Sequence, residues 1–193
     1  MTKTIKRCEW CLSDPLYVAY HDDEWGKVVY DDDKLFACLC LESMQSGLSF
    51  ITILKKRDNY YQAFDDFNAT LIANYDDDKV NELMQNAGII RHRAKIQAII
   101  NNAKAYLAIT CHRSFYDYLY GIINQYDDFP KDNQISSIKD APTWTHASEE
   151  LAKQLKRDGF KFVGATTCYA FMQAVGMVND HVADCEFRGA NCY

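Results

Sequence analysis

Two cysteine–histidine pairs stand at opposite ends of this 193-residue chain: Cys8 with His21, twelve residues between them, and His181 with Cys185, three residues between them. Each pair supplies one thiolate and one imidazole. Together they make the Cys2His2 donor set that holds tetrahedral zinc. A zinc finger keeps its two halves close, whereas about 160 residues separate these pairs. The spacing therefore predicts one structural Zn2+ per chain, stapling the two ends of a closed fold, with the reactive chemistry elsewhere.

Two more groups of residues could do that chemistry. Trp10, Tyr17, Tyr20 and Trp25 fall within sixteen residues and interleave with Cys8 and His21. Glu42 follows the apolar run Leu35 to Leu41, where a carboxylate has no packing reason to be. Rings beside a buried carboxylate describe a pocket for a flat, cationic, hydrogen-bonding ligand, and an alkylated purine fits that description. The same rings also read as ordinary core, and the glutamate as a helix-end carboxylate that reaches solvent. A third segment, RDGFKFVGATT at 157–167, sets Gly159 and Gly164 between a basic helix end and an apolar helix start. This predicts a tight helix-hairpin-helix anchored by Phe160, Phe162 and Val163, whose second helix presents free amides to a phosphate oxygen. A plain connector between two helices could carry the same glycines.

The elements that must position these groups are helical. Apolar residues recur at helical spacing at Ile96, Ile99, Ile100, Ala103 and Leu107, predicting a helix over about 91–109. Asp76 to Asp78 start another, with Val80, Leu83, Met84 and Ala87 as its core face and Gly88 as its C-cap. Leu35, Phe36 and Leu39 form a stripe behind the acidic start Asp31 to Asp33. Thr143 or Thr145 caps a helix through Leu151 and Leu155 to Arg157, and Val163 to Gly176 reads as one more buried helix. Alternating strand patterns are scarce, so the expected class is all-α. With three prolines and eight glycines, and no repeat, residues 1–193 read as a single unit.

Composition sets the outer bounds. Hydrophobic content of 48% with 13% aromatics fits a packed core and excludes a disordered chain. The N-terminus MTKTIKRCEW has no apolar core of a signal peptide, and no apolar run is long enough for a membrane span. The eight cysteines accordingly read as thiols in a reducing, cytoplasmic setting, with Cys38, Cys40 and Cys168 buried in apolar stretches. A net charge of −6 weighs against nucleic acid as a partner, but basic clusters stand apart from the acids. These are Lys55–Lys56–Arg57, Arg91–His92–Arg93 with Lys95, and Lys153, Lys156, Arg157 and Lys161. Each alone reads as a solvated helix face.

Six segments, in order and covering nearly the whole chain, resemble the DNA-3-methyladenine glycosylase I family. They are CEW (8–10), DPLYVAYHDDEWG (14–26), LESMQSGLSFITILKKR (41–57), AGIIRHRAKIQAI (87–99), GFKFVGATTCYAFMQAVG (159–176) and NDHVADC (179–185). The resemblance implies the zinc-containing branch of the helix-hairpin-helix DNA glycosylase fold, with excision of 3-methyladenine from alkylated double-stranded DNA as its activity. Cys8, His21, His181 and Cys185 match its zinc ligands, and Glu42 matches the carboxylate that meets the adenine edge. Trp10, Tyr17, Tyr20 and Trp25 match aromatic positions in and around the base pocket. Phe50 stands where the family has a stacking tryptophan, which offers a weaker surface to a cation. Gly47 and Leu48 match the loop that probes the gap left by the displaced nucleotide. Gly159, Phe160, Lys161, Gly164 and Thr166 match the phosphate anchor.

Two departures from the wider glycosylase pattern bear on mechanism. Asn179 takes the position of the catalytic aspartate, leaving Asp180 beside it as a candidate partner for His181. Thr166 takes the position of the lysine found in lyase members. Both imply a monofunctional enzyme without a Schiff-base step, and nothing in the sequence suggests more than a monomer. Three other readings stay open on the sequence: a non-catalytic zinc-dependent DNA-binding protein, a glycosylase with a shifted alkyl-base range, and a redox or metal sensor built on Cys8 and Cys11 with Cys185 and Cys192.

Overall fold

The computed structural model describes residues 5–191. After a 3-10 turn at Glu9–Ser13, the helices run α1 Pro15–Asp23, α2 Asp32–Gln45, α3 Phe50–Leu54, α4 Arg57–Ala63, α5 Ala69–Ile72 and α6 Asp77–Gln85. They continue with α7 Arg93–Thr110, α8 Phe115–Ile123, α9 His146–Arg157 and α10 Ala165–Ala174. The only sheet among the described residues pairs β1 (Lys131–Asp132) in parallel with β2 (Val178–Asn179). The chain is mostly helical, as its periodicity predicts.

Helix α2 is the centre of the packing. Leu35, Phe36, Leu39 and Cys40 are fully buried, and Ala37, Leu41 and Met44 nearly so. A helix that is apolar all round has no solvent face, and α2 is accordingly enclosed by α3, α7, α8 and α10. Its acidic start does architectural work. The Asp31 carboxylate caps α2 by accepting from the Lys34 amide at 2.9 Å. Asp32 accepts from the amides of Phe115 and Tyr116 at 2.8 and 2.9 Å and so caps α8, while Asp33 accepts from the Tyr106 hydroxyl at 2.8 Å.

Several sequence expectations need local correction. Helix α6 ends at Gln85, so Ala87 lies outside it and is exposed, and Gly88 is not its C-cap. Gly88 is small because a Cβ there would lie 2.9 Å from the Asn59 side chain. Thr145, not Thr143, caps α9, exchanging hydrogen bonds with Ser148. Helix α10 starts at Ala165, because Val163 and Gly164 belong to the turn before it.

A second, smaller cluster of buried residues draws on both ends of the chain. Cys8, Tyr20 and Trp25 meet Val182 and Cys185, with Leu54, Ile135 and Ala174 between. The segment after α10 reaches it through a sharp turn at Gly176, whose φ is +73°. A Cβ at Gly176 would lie 2.5 Å from the backbone of Lys27 and Val28, so neither conformation nor space admits a side chain. Gly176→Ala should destabilise the protein by about 2–4 kcal/mol. Urea unfolding monitored by tryptophan fluorescence checks this, and a loss below about 0.5 kcal/mol would show that the segment yields freely.

Candidate active site

The structure brings Cys8, His21, His181 and Cys185 together in one buried group whose ligand atoms all lie within 4.8 Å of one another. The Cys8 sulfur is 3.8 Å from His181 Nδ1, and the Cys185 sulfur is 3.5 Å from both His21 Nε2 and His181 Nδ1. A tetrahedral metal with ordinary metal–sulfur and metal–nitrogen bonds sets sulfur–nitrogen edges at about 3.5 Å. The donor set therefore fits a metal ion in kind and in size.

The surroundings fix which imidazole nitrogen faces the centre. His21 Nδ1 is 2.8 Å from the Asp22 carboxylate, itself paired with Arg7, which leaves Nε2 facing the centre of the group. His181 Nε2 lies 3.3 Å from the Trp25 carbonyl, leaving Nδ1. Asp180 does not orient His181. Its carboxylate accepts from Tyr169, Gln173 and Asn133 instead, and Asn179 uses its side-chain oxygen to hold the His181 backbone amide at 3.2 Å. Burial pushes the Cys8 thiol up to about 12, so its thiolate calls for a cation. Burial, with His21 alongside, takes His181 down to about 4, which keeps it the neutral imidazole a metal binds. Cys11 is buried but turned away, its sulfur 3.0 Å from the Cys8 carbonyl. Cys192 lies outside the described residues.

Next to this group is a pocket of about 200 Å³ lined by Trp10, Tyr17, Tyr20, Trp25, Glu42, Gln45, Phe50, Ile138, Ala170 and Gln173. All six base-recognition candidates of the sequence reading are in that lining. Tyr17 and Tyr20 are three apart on α1, which puts both on the face that also carries His21. Trp10 packs edge-on to Tyr17 at 4.8 Å and to Trp25 at 5.0 Å, and Tyr20 lies 5.1 Å from Phe50. Trp25 belongs to both sites, since its ring lines the pocket and lies 4.6 Å from that of His181.

The polar side of the pocket comes from the last turns of α2. Glu42 is 3% exposed, and burial pushes its carboxyl up to about 8. Three buried polar atoms in the lining have no hydrogen-bond partner: Glu42 Oε2, Gln45 Oε1 and Trp10 Nε1. Buried polar atoms are rarely left unpaired, so these three, two acceptors and one donor, mark where a bound ligand would make polar contacts. Sequence reasoning missed Gln45, although it sits one turn after Glu42 in the same motif and shares its face.

The two segments that the sequence assigns to DNA contact both lie among the described residues. The turn 158–164 joins α9 to α10, with Gly159 at φ +101°. Phe160 and Val163 are buried as expected, but Phe162 is not an anchor: its φ is +57° and its ring is 38% exposed. The buried Asn102 of α7, also missed in the sequence, locks the turn by accepting from the Lys161 amide at 2.7 Å and donating to the Lys161 carbonyl at 3.2 Å. Neighbouring Asn101 donates to the Gly159 carbonyl. No side chain caps α10, where Gly164 is the N-cap and Thr166 lies in the first turn. Gly47, at φ +78° with nothing within 4 Å of its would-be Cβ, and Leu48, 41% exposed, protrude between α2 and α3. The first basic cluster is absorbed structurally: Lys55 pairs with Asp14, Arg57 with Glu24, and Lys56 donates to the Ala87 and Gly88 carbonyls.

The ligand geometry predicts that Cys11→Ala leaves the metal content per chain unchanged, whereas Cys185→Ala abolishes it. Elemental analysis of the purified variants decides, and loss of metal with Cys11→Ala would overturn the ligand set.

Comparison with known proteins agrees on one family. The methyladenine glycosylase family model matches residues 10–189. DNA-3-methyladenine glycosylase 1 of Escherichia coli (strain K12) is 50% identical over 182 residues, covering 94% of this chain and 96% of that protein. A crystal structure of 3-methyladenine DNA glycosylase I superposes with a TM-score of 0.89 at 51% identity, covering 94% of this chain and 98% of the other. A variant of 3-methyladenine DNA glycosylase I in complex with 3-methyladenine also gives 0.89, at 38% identity over 94% and 97% of the two chains. This chain belongs to the methyladenine glycosylase family.

Proposed function

We propose that the protein is a monofunctional DNA glycosylase that flips an alkylated nucleotide out of double-stranded DNA and hydrolytically excises 3-methyladenine. The observation that carries this is the set of three unpartnered buried atoms, on Glu42, Gln45 and Trp10, around one aromatic pocket. A methylated adenine is flat and cationic, and its ring edge offers polar groups to meet them. Relatives named for this activity cover nearly the whole chain.

Alkylation at N3 places positive charge on the purine and makes it a good leaving group. The protein has to expose the bond, hold the charged base and keep neutral adenine out. Damaged bases cost least to unstack. Trp10, Tyr20 and Phe50 line the pocket where the cation would sit, and a desolvated cation–ring contact is worth about 2 kcal/mol. Glu42 adds a charge-dependent term. Its carboxyl, raised to about 8 by burial, ionises readily only when a cation enters beside it, so neutral adenine gains no such compensation. Water then takes the sugar carbon. Asn179 is tied to the His181 amide and Thr166 lies in the first turn of α10, so neither supplies a general base or an amine nucleophile.

The hairpin of Gly159, Phe160, Lys161 and Gly164, together with Thr166 in the uncapped first turn of α10, would hold a phosphate. Gly47 and Leu48 would occupy the gap left by the flipped nucleotide. Cys8, His21, His181 and Cys185 would hold one Zn2+, which neutralises the buried thiolates and fixes the two ends of the chain. We take residues 1–193 to act as one monomeric unit on chromosomal DNA in the cytoplasm; among the described residues no helix is long and apolar enough to cross a membrane. One observation favours a wider substrate range. Phe50, smaller than the family's tryptophan, also lines a second cavity of about 470 Å³.

Chromatography of bases released from methylated duplex DNA should show free 3-methyladenine with little 7-methylguanine. Comparable release of both would favour the wider range, and no release from folded, metal-loaded protein would leave only a DNA-binding scaffold. Glu42→Ala should keep fold and metal but lower kcat/KM by about 10- to 100-fold, and unchanged activity would refute its place in base recognition.

The raised Glu42 pKa also has a sign for pH. Wild-type kcat/KM should climb as pH rises toward about 8 and then level, and Glu42→Gln should lack this climb. The fold favours the neutral carboxyl, so ionised Glu42 costs stability from its ordinary pKa of 4.5 upward, with the cost fully developed above about 8. Glu42→Gln should therefore raise Tm more at pH 8 than at pH 5, and an equal gain at both would show that burial does not disfavour the charged form.

A further inference from the structure

Lys95, in the first turn of α7, is a buried cation that the excision mechanism leaves without a task. It is 6% exposed, and among the described residues no carboxylate lies within ion-pair distance of it. Its ammonium donates to the Met44 carbonyl at 2.8 Å and the Ser46 carbonyl at 2.7 Å. These are orphan acceptors at the C-terminal end of α2, where a helix carries partial negative charge. Between them the Gln45 carbonyl accepts from the Leu48 amide at 2.6 Å, closing a tight turn. Every carbonyl from Met44 to Ser46 is thus taken up, two of them by one side chain.

Beyond that turn the backbone has little other support. Gly47 is in the left-handed region with open space around it, and Leu48 projects into solvent. Burial lowers the Lys95 pKa, so the ammonium is kept there against a desolvation cost. A neutral apolar side chain would fill the same space and leave the buried Met44 carbonyl and the part-buried Ser46 carbonyl without this donor. Resting on the glycosylase reading, we propose that Lys95 is a positioning residue, which fixes the 46–48 turn so that Leu48 enters the duplex as the nucleotide leaves. It touches neither base nor sugar. The same helix holds the hairpin through Asn101 and Asn102, so Lys95 sets the probing turn in register with the phosphate anchor.

The test compares wild type with Lys95→Met and Lys95→Arg in two measurements. One is excision of 3-methyladenine from methylated duplex DNA, and the other is affinity for free 3-methyladenine by quenching of tryptophan fluorescence. Trp10 and Trp25 line the pocket and report on it directly. Lys95→Met should lower kcat/KM on duplex by about tenfold or more, leave free-base affinity within about twofold, and be partly rescued by arginine. Unchanged excision would overturn the proposal. So would a parallel fall in base affinity, because Lys95 would then be supporting Glu42 and Gln45 on the same helix end. Lys95→Gln, which retains a donor, is read by the same criteria if the methionine variant does not fold. Wild-type protein that binds no free base and releases none would instead bring down the glycosylase reading beneath it.

Discussion

Four side chains able to hold a metal ion, two from each end of the chain, share one buried cluster, and the rest of the site depends on that constraint. Neutral thiols pack well in a core, but two buried imidazoles beside them are polar groups that burial penalises unless they are partnered. Their arrangement makes sense as a charge-neutralising centre with a fixed geometry. Closing it draws the segment 5–25 against the segment 178–191. The first brings Trp10, Tyr17, Tyr20 and Trp25 to the mouth of α2, where Glu42 and Gln45 end. Trp25 makes the dependence physical: its carbonyl orients His181 while its ring walls the pocket.

A second organising element is α7. From one helix, Lys95 reaches the turn after α2, and Asn101 and Asn102 reach the turn between α9 and α10. Both turns are short and carry left-handed backbone angles, at Gly47 in one and at Gly159 and Phe162 in the other. Buried polar contacts from a rigid helix give them a defined shape that loop residues could not supply alone. The acidic balance of the chain fits within the same scheme, because several carboxylates are committed to capping helices and pairing with lysines and arginines. Net charge was a poor guide to function here for that reason.

Much of this was legible in the sequence where residue type and spacing act together. The cysteine–histidine set stood out because four uncommon donors fall in two pairs, and the helices because α7 and α9 keep a plain 3.6-residue period. The pocket aromatics were visible as a dense run. What escaped were residues whose meaning depends on a distant partner. Gln45, Asn102 and Lys95 look like ordinary helix-surface residues until tertiary contacts bury them. Phe162 reads as a core anchor, yet a left-handed backbone angle turns it outward. Gly88 reads as a helix stop, yet its smallness answers to Asn59. Asp180 lies next to His181 in sequence but serves Tyr169, Gln173 and Asn133.

The elevated pKa of Glu42 has a consequence for how such a protein travels. DNA is a polyanion, and an ionised carboxylate in a cleft that slides along it would be repelled at every phosphate. With its carboxyl at about 8, the vacant pocket is largely uncharged at neutral pH. A positively charged base beside Glu42 would favour the ionised carboxylate there. On the glycosylase reading, the molecule patrols intact duplex with its discriminating charge switched off, and the lesion itself turns that charge on.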